Sequence, residues 1–138
     1  MPKFKDLEVG QVIATHSYEI SRDSLVRYAG ASGDFNPIHY RDDFAQAVGL
    51  PGVLAHGMLT MGLSVQPVVS WLQDAGRVID YGVRFTKPVL VPAEGTSVLS
   101  VIATIGQVDA ENQKARVDLT TSFGELTVLG KAQVWVQF

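Results

Sequence analysis

An α+β fold is what the sequence predicts: a curved antiparallel sheet of about five strands wrapped around one long central helix. Two observations carry this. The run from Gly57 to about Gln73 is apolar almost all the way round, so a helix there has to be enclosed on most sides. Beyond it the pattern changes to four successive segments rich in Val, Ile, Thr, Phe and Trp, separated by turn residues, which suits antiparallel strands. A helix without a polar face is buried only if the sheet curls over it or another chain covers its far side.

The elements follow in order. Gln11 to Ile20 alternates loosely through Val12, Ala14, His16, Tyr18 and Ile20 and is expected to form an edge strand. Ser21 has the chemistry of a helix N-cap, and Asp23 sits in the first turn where the helix dipole favours a negative charge. Leu25, Val26 and Tyr28 then form a short apolar face that ends at Gly30 and Gly33. Asp42 to Val48 suits one or two helical turns closed by Gly49, and Pro51-Gly52 breaks the chain before the central helix. Inside that helix Pro67 removes one hydrogen bond to residue 63 and is expected to bend it. The later strands are expected at Arg77 to Thr86, Ser97 to Val108, Lys114 to Ser122 and Leu126 to Phe138.

Composition bounds the function. At 138 residues and 46% hydrophobic content, one domain spanning 1–138 with a proper core is expected. A net charge of −3, from 11 basic and 14 acidic residues, offers no footprint for a nucleic-acid backbone. The absence of cysteine excludes disulfides, thiolate catalysis and Cys-ligated metal. The N-terminus turns charged too early for a secretory signal, and the apolar stretch from Met58 to Leu72 is shorter than the roughly 20 residues of a membrane span. A cytoplasmic protein with no membrane segment is the expectation.

Chemistry concentrates in Asp34-Phe35-Asn36-Pro37-Ile38-His39, where a carboxylate and an imidazole stand five residues apart across a stiff turn. Pro37 fixes its own φ and restricts Asn36, so the segment between the two titratable groups has few shapes available. A second element, Ala55-His56-Gly57-Met58, opens the central helix and can turn the Gly57 N–H toward the same space as a donor to a developing oxyanion.

The run from Tyr28 to His39, with Ala45 following, resembles the signature of the MaoC-like, (R)-specific enoyl-thioester hydratases. The resemblance extends through Ala55 to Gly62 and Tyr81-Gly82-Val83-Arg84-Phe85, and is closest to the catalytic subunit of actinobacterial (3R)-hydroxyacyl carrier-protein dehydratases. It implies a hot-dog fold, with Asp34 and His39 as the catalytic pair, Gly57 as the amide that holds the thioester oxygen, and no cofactor. Two departures stand out. Ala31 occupies a place where larger aliphatic residues are common, and Leu63-Ser64-Val65 stands where some members use a serine, so no role is carried to Ser64.

The implied reaction interconverts trans-2-enoyl and (3R)-3-hydroxyacyl thioesters of coenzyme A or acyl carrier protein. A water held between Asp34 and His39 would add hydrogen and hydroxyl to one face of the double bond, with either residue open as donor of the C2 proton. Each residue has a plainer use. Asp34 alone would serve as a turn cap, His39 as an ordinary hydrogen-bonded imidazole, and His16 as structural or exposed. Asn36 and Pro37 support the turn, and His56 is expected to pack or to bond the backbone beside Gly57. Asp34, His39 and His56 also make a possible oxygen and nitrogen ligand set, but no second carboxylate or paired histidine supports a metal. Arg84 and Lys87 are candidates for a phosphate or an acidic carrier surface, with solvation as their plainer role, while Trp71 and Phe138 are expected in the core. Two other functions share this composition: a non-catalytic acyl-binding subunit and a thioesterase. Sheet edges left open by so short a chain predict a dimer, homomeric or with another hot-dog subunit.

Overall fold

The computed structural model describes residues 1–138. Strand β1 (Val12–Ile20) passes directly into helix α1 (Arg22–Ser32). Ser21 caps that helix as expected: its hydroxyl accepts from the Ser24 N–H at 3.2 Å, and the Ser24 hydroxyl accepts from the Ser21 N–H at 3.1 Å. The helix ends at Gly33, whose φ of 78° is the left-handed conformation that glycine adopts without steric cost. A 3₁₀ turn at Pro37–His39 and the short helix α2 (Asp42–Ala47) follow, then the central helix α3 (Gly57–Leu72). Arg22 fastens α1 to this region, donating to both carboxylate oxygens of Asp42 at 2.8 and 3.0 Å and to the Val91 carbonyl at 2.9 Å.

The remaining strands are β2 (Val78–Phe85), β3 (Ser97–Asp109), β4 (Lys114–Phe123), the two-residue β5 (Leu126–Thr127) and β6 (Leu129–Gln137). They form one antiparallel sheet in the order β1-β3-β4-β6-β2, with β5 paired to β4. The expected count of about five is met by the five long strands. The predicted segment from Leu126 to Phe138 divides into β5 and β6 because Val128 turns its N–H to the Thr121 carbonyl and its own carbonyl to the Thr86 N–H. As expected, β1 lies at one edge, and β2 forms the other.

Alternation along β3, β4 and β6 puts Leu99, Val101, Ala103, Ile105, Ala115, Val117, Val134 and Val136 in the interior at zero exposure. Each fully buried Val or Leu contributes roughly 1.5–3 kcal/mol of burial, which is what pulls the sheet around α3. Register shifts at Val12/Ala14, Val78/Asp80, Gly82/Arg84 and Ile105/Gln107 mark bulges that let it curve.

Helix α3 departs from the expectation of near-complete enclosure. Thr60, Ser64, Pro67, Val68 and Leu72 are buried, but Met58, Gly62, Gln66 and Ser70, four residues apart in turn, lie on an exposed stripe. The apolar pattern concealed this because glycine and serine break a hydrophobic run only weakly. The helix continues through Pro67 as a single element, and no helix of the structure is long and apolar enough to cross a membrane.

Candidate active site

Segment 53–55 anchors the site. Val53 and Ala55 bond to the extended stretch around Leu90, through Val91 N–H to Val53 O at 3.0 Å and Ala55 N–H to Val89 O at 2.8 Å. Between them, the Leu54 N–H bonds the Ile38 carbonyl at 3.1 Å. That fixes the Leu54 carbonyl, which lies 2.7 Å from Nδ1 of His39. A carbonyl only accepts, so Nδ1 carries the proton, and in the neutral ring Nε2 presents a lone pair.

That Nε2 faces Oδ2 of Asp34 at 3.8 Å. The separation exceeds a direct hydrogen bond but lets a single oxygen approach both atoms. Asp34 meanwhile uses Oδ1 to accept from the Asn36 N–H at 3.1 Å, and the Asn36 side chain accepts from the Ile38 N–H at 3.3 Å. The turn-capping use of Asp34 and its approach to His39 are therefore compatible: one carboxylate oxygen holds the loop while the other is free. The two residues differ in burial, with the His39 side chain 9% exposed and that of Asp34 51%.

His56 lies against both. Its ring stacks on His39 with centroids 3.8 Å apart and planes at 21°, and Tyr28 meets it edge-on at 4.7 Å. Nε2 of His56 donates to the Asp34 main-chain carbonyl at 3.1 Å, so the expected backbone bond is made to Asp34. Burial pushes the His56 pKa down, against the Asp34 hydrogen bond that favours the proton. His39 adds to the lowering and the Asp34 charge opposes it.

Gly57 is the first residue of α3, and His56 offers the helix no side-chain cap, so its first N–H groups are uncapped. Gly57 lines a cavity of about 280 Å³ with Leu54, Thr60, Phe85, Lys87 and Val128 among its walls, which do not include Asp34 or His39. Lys87 is thus at the cavity, whereas Arg84 is exposed and outside its lining.

The ligand-bearing atoms of Asp34, His39 and His56 all lie within 4.8 Å of one another. Ring lone pairs lie in the ring planes, however, and two rings stacked face to face do not converge on one ion at bonding distance. The Asp34 carbonyl and the Leu54 carbonyl moreover occupy one nitrogen of each ring. The arrangement suits proton transfer better than metal binding.

Ser64 is fully buried, donating to Thr60 O at 2.7 Å and accepting from Thr121 Oγ1 at 3.0 Å, so its hydroxyl ties α3 to β4. His16 is exposed on β1 beside Tyr18. Three contributors escaped the sequence: the Leu54 carbonyl, Phe85 and Tyr28. A main-chain acceptor leaves no trace in residue type, but Tyr28 and Phe85 each belong to a segment singled out for its resemblance.

A curved antiparallel sheet wrapped around a central helix is the hot-dog architecture. The chain belongs to the MaoC-like family: the family model described as "MaoC like domain" matches residues 5–122. It is 33% identical over 135 residues to a 3-hydroxybutyryl-CoA dehydratase of Methylorubrum extorquens, covering 96% of this chain and 83% of that one. Over 74 residues it is 46% identical to 3-hydroxyacyl-thioester dehydratase X of Mycobacterium tuberculosis, covering 54% of this chain but only 25% of the relative. A solved MaoC-like dehydratase superposes with a TM-score of 0.95 at 37% identity, covering 99% of this chain and 42% of that chain. The chain therefore spans less than half of two of these three relatives. All three are named as dehydratases, that is, hydro-lyases.

Proposed function

We propose that the chain catalyses the reversible hydration of trans-2-enoyl thioesters to (3R)-3-hydroxyacyl thioesters, carried by coenzyme A or acyl carrier protein, with Asp34 and His39 as the acid–base pair. The observation that supports it is the 3.8 Å approach of His39 Nε2 to Asp34 Oδ2 in a ring whose tautomer is set by Leu54. A carboxylate and a neutral imidazole lone pair both accept, so one water donates a hydrogen to each and aims its oxygen outward. That oxygen bonds to C3 as one of the pair takes the departing proton and returns it to C2 on the same face. The other holds the O–H that stays with the product. Charge that builds on the thioester oxygen meets the Gly57 amide at the positive end of α3, with the acyl group in the adjoining cavity.

Loss of enoyl-thioester ultraviolet absorbance tests this directly, with turnover expected in the wild type and most of it lost in Asp34→Asn. Unchanged turnover in that variant rejects the assignment. A thiol-reactive dye separates hydration from thioester hydrolysis, since only the second releases a thiol.

Partner dependence belongs to the same proposal. The Asp34 carboxylate is half exposed, β2 leaves one sheet edge open, and Met58, Ile79 and Phe85 expose apolar side chains between 48% and 58%. Open edges and apolar surface favour a second hot-dog unit across this face, either another copy or a related subunit. Light scattering at micromolar concentration is expected to give a dimer for a homomeric enzyme. Inactivity alone with rescue by a related subunit would mark a heteromeric one.

A further inference from the structure

We propose, building on the catalytic assignment above, that His56 is a positioning residue that clamps the Asp34 main chain and the His39 ring together and works only as a neutral imidazole. The motif brings His56 into contact with both partners by different means. Its Nε2–H holds the Asp34 carbonyl at 3.1 Å, and its face supports the His39 ring at 3.8 Å. Asp34 lies on an exposed turn outside any strand or helix, its N–H held by the Ser32 hydroxyl at 3.1 Å and its Oδ1 by the Asn36 N–H, and the bond from His56 adds a hold on its carbonyl from outside the turn. His39 is oriented at Nδ1 by Leu54, and the stack supports the face of its ring. Two tethers from one buried ring therefore set the distance between the two groups that share a proton.

The remaining nitrogen explains the neutral state. Nδ1 of His56 is buried, the residue being 1% exposed, and has no hydrogen-bond partner. As a bare lone pair it loses one contact with water. As an N–H of an imidazolium it would be a buried charge with no acceptor, which costs far more. The groups that face the ring are Asp34 and His39 of the turn and Tyr28 of α1; Oδ2 of Asp34 faces His39, and the Asp34 charge favours a proton on His56 by less than burial opposes it. The cost of leaving Nδ1 unpartnered is offset by the bond that Nε2–H makes to the Asp34 carbonyl, which no purely apolar ring could supply.

Two substitutions divide the two tethers. His56→Gln keeps an N–H donor for the Asp34 carbonyl and gives up the stack, whereas His56→Phe keeps an aromatic face and gives up the donor. Each is expected to lower kcat about 10²-fold with KM within about twofold, as misplacement of a reacting group by an ångström does. Each is also expected to change the shape of the kcat/KM pH profile. Full kcat and an unchanged profile in both variants, with wild-type circular dichroism, would overturn the proposal. Should the variants fail to fold, the wild type still decides: with three histidines in the chain, ¹⁵N-labelled imidazole spectra are expected to show His56 as the Nε2–H tautomer at neutral pH and to protonate it only below the ordinary 6.5. A His56 that titrates like a free imidazole would overturn it equally. Failure of the catalytic assignment itself is recognised separately, by full activity in Asp34→Asn.

Discussion

The ring of Phe85, at the end of β2, lies against the α-carbon of Gly57 so closely that a Cβ added there would come within 3.0 Å of ring Cε1 and 3.1 Å of Cδ1. Two residues distant in sequence thereby require each other: the first residue of α3 has no side chain, and an aromatic wall of the cavity occupies the space.

Gly57→Ala consequently pits the better helix former against a steric conflict. The ring is 56% exposed and can yield, so a loss near the lower end of the ~1–3 kcal/mol typical of overpacking is expected. Phe85→Ala should relieve it, making the double variant more stable than the two single effects add up to. Thermal melts of the four proteins measure the coupling; strict additivity would show that the contact carries no energy.

Asp34→Asn should separate chemistry from folding. Asparagine retains an oxygen for the Asn36 N–H, so the turn survives and Tm should move little. Loss of the proton acceptor should lower kcat about 10²–10⁴-fold. A large fall in Tm would mean that the carboxylate charge holds the loop itself.

Ser64→Ala is expected to behave oppositely. The Thr121 hydroxyl would lose its buried acceptor, and the Thr60 carbonyl its extra donor, for a cost of about 1–3 kcal/mol. Turnover at saturating substrate should stay within about twofold. A kcat drop of a hundredfold at unchanged Tm would bring Ser64 into the site.

Stability should decline with acidity in two separate windows. His56 has its pKa lowered by burial from the ordinary 6.5, so above that value folded and unfolded chains are both neutral there. As the pH falls below 6.5, the unfolded chain binds a proton that the folded one refuses, and stability drops until the folded pKa is reached. Asp42, Asp43 and Asp109, held below the ordinary 3.8 by hydrogen bonds from Arg22, Arg41 and Asn112, lose their contribution only as the pH passes below about 3.8. Melts between pH 5 and 8 should slope in the wild type and flatten in His56→Gln; an equal slope in both would assign the effect elsewhere.

Local chemistry was the part most readily legible. Ser21 as a cap, Gly33 as a stop and the Asp34–His39 turn depend on contacts within a few residues, the strand segments show in local residue preference, and the structure holds them near the expected bounds. The break at Val128 was not legible, because it answers to Thr86 and Thr121, which lie on other strands. The exposed stripe of α3 was likewise hidden, since apolar content says that a face can be buried without saying which one is.

Residue type and spacing by themselves determined the α+β class, the central helix, and the presence of a carboxylate and an imidazole on one rigid turn. The tertiary structure alone decided which nitrogen of His39 is free, which ring lies behind it, and what stands over Gly57. Those depend on Leu54, His56 and Phe85, brought in from beyond the turn by sheet and loop pairing, and pairing between distant segments is set by the burial of the whole chain rather than by the preference of any one stretch.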